Sequence, residues 1–193
     1  MIHASRFSRS FASHAAPRVR QAEGAVEIVQ YGDFECKECG RVANSLQALR
    51  HRSEGAVNFV WKHFPSATLH RHALQAAEAA ECARAQGHFW PMHNLLVMNQ
   101  ERLDLRSLYD YAAALGLDMD QFTTEMDEEI HLPTIRNHIY NGTLAGVRRT
   151  PTYFVDGVLV DNNSELRALF DATNQLLRQR RGFGLAVEGT LGG

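Results

Sequence analysis

Cysteine is scarce in this chain, with three in 193 residues. So low and odd a count excludes a disulfide-built secreted scaffold, and a chain of this length buries enough surface to fold without staples. Excess charge of either sign is also missing: 20 Lys and Arg face 22 Asp and Glu, for a net charge of −2. With no basic stripe carrying interleaved aromatics, nucleic acid is not an expected partner. No apolar run approaches the ~20 residues of a membrane span, so a membrane is not expected either. Residues 1–20 lack the apolar centre of a secretory signal; they hold Arg6, Arg9, Arg18, Arg20, four serines and no acid. They read as part of a flexible N-terminal arm, residues 1–24, with an Arg- and Ser-rich transit segment as the rival. The missing signal gives a cytoplasmic expectation.

Against that background one stretch stands out, Asp33-Phe34-Glu35-Cys36-Lys37-Glu38-Cys39-Gly40. Two of the three thiols sit three residues apart where the strand-like Val26–Tyr31 gives way to a helix-like run ending near Arg52. In a helix beginning near Cys36 both side chains share a face, with Cα atoms roughly 5–6 Å apart, inside the range a disulfide accepts. Strand, C-x-x-C, helix is the context in which this spacing reads as redox-active.

The remaining chain supplies the frame. A turn at Ser53-Glu54-Gly55 leads to a second strand, Val57–Lys62, stopped by Pro65, so the first three elements form a βαβ unit with parallel strands. From Ser66 to Ala145 the periodicity is helical. An alanine-rich helix counted from Leu69 ends at Gly87. A Phe89–Met98 helix follows, with Trp90, His93 and Met98 read as core. Asp104 caps the next helix, and Asp118 with Gln121 resembles a capping pair for another. A last helix of this block runs from Leu132 to about Ala145 and contains Asn141-Gly142, which leaves its end open. Then Thr152–Val155, Asp156-Gly157 and Val158–Val160 form a hairpin signal. Ser164 can cap a final helix, Glu165 to Arg180, with Leu166, Leu169, Phe170, Thr173, Leu176 and Leu177 as its buried stripe. The order predicts one mixed α/β sheet, β-α-β then β-β-α, closed from residues 25–65 and 146–181. Residues 66–145 form an inserted helical subdomain, and 182–193 a flexible tail.

Several of these stretches together resemble the DsbA-like branch of the thioredoxin superfamily: Tyr31–Cys36, His63-Phe64-Pro65, Gly87–His93 and Gly146–Gly157. The resemblance covers about Val26 to Arg180. It implies a thioredoxin-like fold and a thiol-disulfide oxidoreductase with no external cofactor. Its substrates would be protein or peptide thiols and disulfides, and a redox partner would recycle the pair. It further implies that the Thr150–Pro151 bond is cis and lies against the C-x-x-C, where Thr150 and Pro151 dock an extended substrate. Cys36, at the open helix start, would attack; Cys39, one turn in, would resolve the mixed disulfide.

Two departures from the family pattern bear on that chemistry. Arg149 stands where glycine is usual, so thiolate stability becomes a contest of Glu35 and Glu38 against Lys37, Arg149 and the helix start. Gln30 stands where many relatives carry an acid, which leaves Cys39 to lose its proton through water or Glu27. A zinc half-site is the main alternative for the cysteines, but neither a second C-x-x-C nor a tightly spaced His pair follows at zinc-finger distance, so no metal is expected. His63, His70 and His72 read as packing or solvated side chains, and Cys82 as a small buried hydrophobe. The rival function is a redox-sensing module that changes affinity for a protein partner without turnover. A glutathione-linked enzyme stands third, disfavoured by the intact C-x-x-C.

Overall fold

The computed structural model describes residues 25–53, 55–160 and 166–188. The arm of residues 1–24, Glu54 of the expected turn, the Ser164 cap with Glu165, and residues 189–193 lie outside the described residues. The elements run β1 (Val26–Gly32), α1 (Lys37–Arg52), β2 (Val57–His63), α2 (Ala73–Ala85), α3 (Phe89–Met98) and α4 (Leu105–Ala114). They continue with α5 (Met119–Asp127), α6 (Leu132–Leu144), β3 (Thr152–Val155), β4 (Val158–Val160) and α7 (Arg167–Glu188).

The strands form one sheet in the order β2-β1-β3-β4. β1 runs parallel to β2, with Val26 opposite Val57, and antiparallel to β3, with Gln30 opposite Tyr153. The expected mixed sheet, α/β and thioredoxin-like, is therefore assembled from both ends of the chain around an inserted run of helices, α2 to α6. In the β3–β4 hairpin Asp156 and Gly157 both take positive φ, 47° and 78°, as a two-residue turn of the primed type demands. Asp156 also holds this turn to β1: its backbone N–H donates to the Glu27 carbonyl, and its Oδ1 accepts from the Glu27 N–H, both at 2.9 Å.

Three hydrophobic clusters organise the interior, the smallest being Tyr31, Val147 and Phe154. Of the other two, one packs α1 and α7 on the sheet through Val26, Ile28, Leu46, Val57, Tyr153 and Leu169. The other fills the helical block, where the alanines of α2 let α3, α4 and α5 approach closely, and it takes in Phe34 and Trp61 from the sheet side. These two rings stack at 4.8 Å, and a Cβ on Gly32 would collide with the Trp61 ring, so a glycine must end β1. Burying two aromatics of this size contributes on the order of 2–3 kcal/mol each to the junction.

Several local expectations shift. Leu69 is 79% exposed, and α2 begins only at Ala73. The preceding loop is held instead by side chains of the β1–α1 connection: the Ser66 N–H donates to Asp33 and the His72 N–H to Glu35. Met98 is exposed at the end of α3, while Met92 and Leu96 fill the core; His93 is buried and Trp90 half-buried, as expected. Asp118 caps α5 by accepting from the Asp120 and Gln121 N–H groups, but the Gln121 amide turns to Glu125 and the Asp118 N–H goes to Gln86. By contrast α6 runs through Asn141-Gly142 to Leu144, as expected, and Gly142 packs on Tyr31: a Cβ there would sit 2.7 Å from its ring. The last helix runs past Arg180 to Glu188, so Gly182 and Gly184 are helical, where a tail was expected.

Candidate active site

The turn after β1 presents both thiols of the C-x-x-C from the start of α1. Cys36 is the N-cap residue, in extended conformation, and Cys39 lies in the first turn. Both are buried, Cys39 almost fully, and both are free thiols, as is Cys82. The open end of α1 leaves backbone N–H groups without helical acceptors, a place where negative charge is stabilised.

The second half of the site arrives from the far end of the chain. The Thr150–Pro151 peptide bond is cis, and the Thr150 carbonyl oxygen lies 3.5 Å from Cys36 Sγ. Thr150 and Pro151 are thus brought to Cys36 by the register that pairs β3 with β1.

The two thiols are displaced in opposite directions. The Cys36 thiol is lowered to about 5, first by the hydrogen bond from the Cys39 thiol. Burial works against this, while the Thr150 side chain and the backbone N–H groups of Cys39 and Glu38 add to it. Cys39 is raised, first by burial and then by its bond to Cys36 and the charge there. The pair therefore shares one proton, carried by Cys39, which leaves a nucleophilic thiolate at Cys36.

The charged residues expected to decide this balance are not among the leading causes. Lys37 and Glu38 are exposed, and Glu38 pairs with Arg41. Glu35 accepts from the His72 N–H at 2.7 Å. The Arg149 side chain is exposed, and its carbonyl accepts from Thr152 Oγ1 at 2.6 Å. Arg148 donates to the Thr143 and Val147 carbonyls at 3.2 Å, closing the end of α6.

Three residues that sequence reasoning did not place in the site support it. Asp33, 2% exposed, accepts from the Glu35 and Ser66 N–H groups at 2.9 Å, and its Oδ2 lies 2.7 Å from His70 Nδ1. Burial pulls His70 down, but the bond to Asp33 and the negative charges of Asp33, Cys36 and Glu35 leave it raised. Gln100, in the loop after α3, donates to the carbonyls of both Phe34 and Cys36 at 2.7 Å. Gly40 makes room for it, since a Cβ there would meet the Gln100 amide. The Asp33–Glu35 turn was readable as an Asp bonding its own backbone two residues on. His70 and Gln100 carried no local signal.

Beneath the thiols, Gln30 is 2% exposed and lines, with Cys39, Arg50, Trp61, Trp90 and His93, a cavity of about 20 Å³. Tyr153 sits beside Gln30 in the sheet, its buried hydroxyl lacking a hydrogen-bond partner. Glu27 is exposed and points from the other face of β1, so it offers Cys39 no proton route. Above the thiols, Glu35, Cys36, Lys37, Glu38, His70, Gln100 and Glu101 line an open concavity of about 310 Å³.

Comparisons with known proteins agree with this fold. A family model described as Thioredoxin matches residues 19–172. Among curated proteins, the Na(+)/H(+) antiporter NhaA 3 of Salinispora tropica is 38% identical over 135 residues, 70% of this chain and 21% of the antiporter. The Na(+)/H(+) antiporter NhaA of Herminiimonas arsenicoxydans is 33% identical over 168 residues, 85% of this chain and 26% of that protein. The chain thus spans about a fifth to a quarter of the length of these relatives. Among solved structures, a thioredoxin-like oxidoreductase from Silicibacter pomeroyi DSS-3 superposes with a TM-score of 0.72 at 27% identity, covering 86% of this chain and 92% of that one. BdbD from Bacillus subtilis, at 18% identity, gives a TM-score of 0.73 over 84% and 92% of the chains. The thiol-disulfide exchange protein alpha-DsbA2 from Wolbachia pipientis, at 20% identity, gives 0.70 over 81% and 84%.

Proposed function

This chain belongs to the thioredoxin family, and we propose that it is a DsbA-like thiol-disulfide oxidoreductase acting on protein substrates through Cys36 and Cys39. The observation that carries this is the placing of Cys36 Sγ, at the start of α1, against the Thr150 carbonyl beside cis-Pro151. A substrate strand laid along Thr150 and Pro151 brings its sulfur to the Cys36 thiolate.

In the reducing direction, Cys36 S⁻ attacks the substrate disulfide; one substrate sulfur leaves as thiolate and the other is held in a mixed disulfide. Cys39 then gives up its proton and attacks Cys36 Sγ. The Cys36–Cys39 disulfide forms, the second substrate thiolate leaves, and a redox partner must return two electrons. The oxidising direction is the same sequence reversed. A Cys36 held near 5 stabilises the dithiol form, which moves the pair toward the oxidants of the superfamily.

Reduction of insulin by the chain, with Cys36→Ser inactive and Cys39→Ser accumulating mixed disulfides, tests this reading. A second reading, a redox-sensing module that alters affinity for a partner, is favoured by one observation: chains of this type match about a fifth of proteins named as Na(+)/H(+) antiporters. Insulin turnover separates the two, since a pure sensor gives none.

A further inference from the structure

Outside the redox site, two groups of side chains have the composition of a metal site among the described residues. His63, Glu81 and His138 form the first, and its needs are already met. Arg84 Nε lies 2.8 Å from Glu81 Oε2, Lys62 Nζ lies 3.4 Å from His138 Nε2, and Trp61 Nε1 donates to His63 Nδ1 at 3.2 Å. Two protein cations stand where a metal would have to go.

The second group lacks such cations. Cys82 Sγ, a Glu125 carboxylate oxygen and a His131 ring nitrogen lie within 4.8 Å of one another. They come from α2, α5 and the turn between α5 and α6. His131 Nε2 lies 2.8 Å from Glu125 Oε2, so its ligand nitrogen faces the cluster. Glu78 precedes Cys82 by one helical turn on the same face of α2. It is 6% exposed, its Oε1 has no hydrogen-bond partner, and its charge acts on both Cys82 and His131. Within the trio Glu125 is bonded to His131 and to the Cys82 thiol, and its other oxygen accepts from Gln121, so a metal would replace the first two bonds; one helical turn from Cys82, the buried Glu78 oxygen has no donor and is free to turn in.

We propose that Cys82, Glu125 and His131, with Glu78 as fourth ligand, bind a zinc ion that joins α2 to the α5–α6 turn. Thiolate and imidazole select zinc over magnesium or calcium, and one thiolate, one imidazole and two carboxylates complete a tetrahedron. Zinc-to-donor distances of about 2.0–2.3 Å set the donors about 3.3–3.8 Å apart, so the Glu125–His131 pair opens slightly and the sulfur draws in. The Glu125 and His131 side chains are 15% and 18% exposed, which gives the ion a way in. On binding, the Cys82 thiol releases its proton to solvent and no electron is transferred. Three ligand negative charges against two on the ion leave one; of the charges that act on Glu78, Arg136 offsets it and Glu129 adds to it. The ligands are scattered along the chain, so no spacing motif announces the site.

The test uses the full chain with Cys36→Ser and Cys39→Ser, so that Cys82 is the only thiol, after stripping with a chelator. Titration with Co²⁺ should saturate at one equivalent and show a thiolate-to-cobalt charge-transfer band that Zn²⁺ removes. Zn²⁺ should raise the Tm. Cys82→Ser should abolish the band, while His131→Ala, Glu125→Gln and Glu78→Gln should each weaken zinc by about tenfold or more. If Cys82→Ser does not fold, the partly exposed His131 decides through His131→Ala. Cobalt binding without the band, no binding at all, or affinity unchanged in His131→Ala and Glu125→Gln would overturn the proposal.

Discussion

Cys36 Sγ rests 3.5 Å from the carbonyl oxygen of Thr150, a residue 114 positions further along the chain. No local pattern relates the two. They meet because β3 pairs antiparallel with β1, which brings the residues just before β3 to the end of β1 where α1 starts. The site is therefore a product of sheet register, and its chemistry can be probed from either side.

Alkylation of Cys36 reads its thiolate directly. The rate should be nearly flat from pH 8 down to pH 6 and fall away through a midpoint at about 5. Because Cys39 is the leading cause, Cys39→Ala should move that midpoint up toward the ordinary thiol range, whereas Arg149→Gly should move it much less. The sign for stability follows from a thiol lowered in the folded state: the dithiol form gains over the disulfide form as pH rises above about 5 and loses that gain as pH falls through it. The reduction potential should lie between about −270 mV and about −120 mV, the values of thioredoxin and DsbA.

His93 governs a second pH dependence. It is buried among Phe34, Trp61 and Trp90, and burial lowers it to about 4 despite its bond to Asn94. The unfolded chain, with an ordinary histidine, binds more protons between about 6.5 and 4, so stability falls as pH falls through that window. Urea melts should show this loss, and His93→Phe should shrink it.

Asp33→Asn removes a buried charge that accepts two backbone N–H groups and pairs with His70. A loss of about 2–4 kcal/mol is expected by chemical denaturation. The His70 titration, followed by NMR, should drop toward the ordinary histidine value. Since His70 is raised by this pair, the ionic part of the loss is largest below about pH 6.5 and fades as pH rises through the raised value.

Gln30→Glu places a proton acceptor in the cavity beside Cys39, which is of the size that holds one water. Resolution of the Cys36 mixed disulfide, measured by quenched-flow trapping, should speed up by tenfold or more, the usual scale of a positioned general base being about 10²–10⁴. An unchanged rate would locate the proton route elsewhere.

Much of this was legible in the order of residues. Strand, C-x-x-C and helix, then an Asp-Gly hairpin, specify one sheet built from two separated pieces, because each signal is local and each element short. Leu69 and Met98 were misplaced for a different reason. Their apolar spacing fits a helix, but the anchoring of residues 66–72 on Asp33 and Glu35 delays α2 past Leu69, and Met98 lies on the solvent side of α3. Of the contest between Glu35 and Glu38 on one side and Lys37, Arg149 and the helix start on the other, only the helix start is among the causes, since sequence shows charges and hides the nearer groups, the Cys39 thiol and the Thr150 side chain. Asn141-Gly142 left the end of α6 uncertain because the partner that explains Gly142, Tyr31, is remote in sequence.

The twin hydrogen bonds from Gln100 to the Phe34 and Cys36 carbonyls have an implication for engineering. A residue of the inserted helical segment holds the backbone of the loop that carries Cys36. Cutting the insertion away to leave a minimal redox scaffold would remove the clamp along with the helices. A transplant of the active centre into another sheet must carry Gln100, and the Gly40 that admits it, as part of the graft.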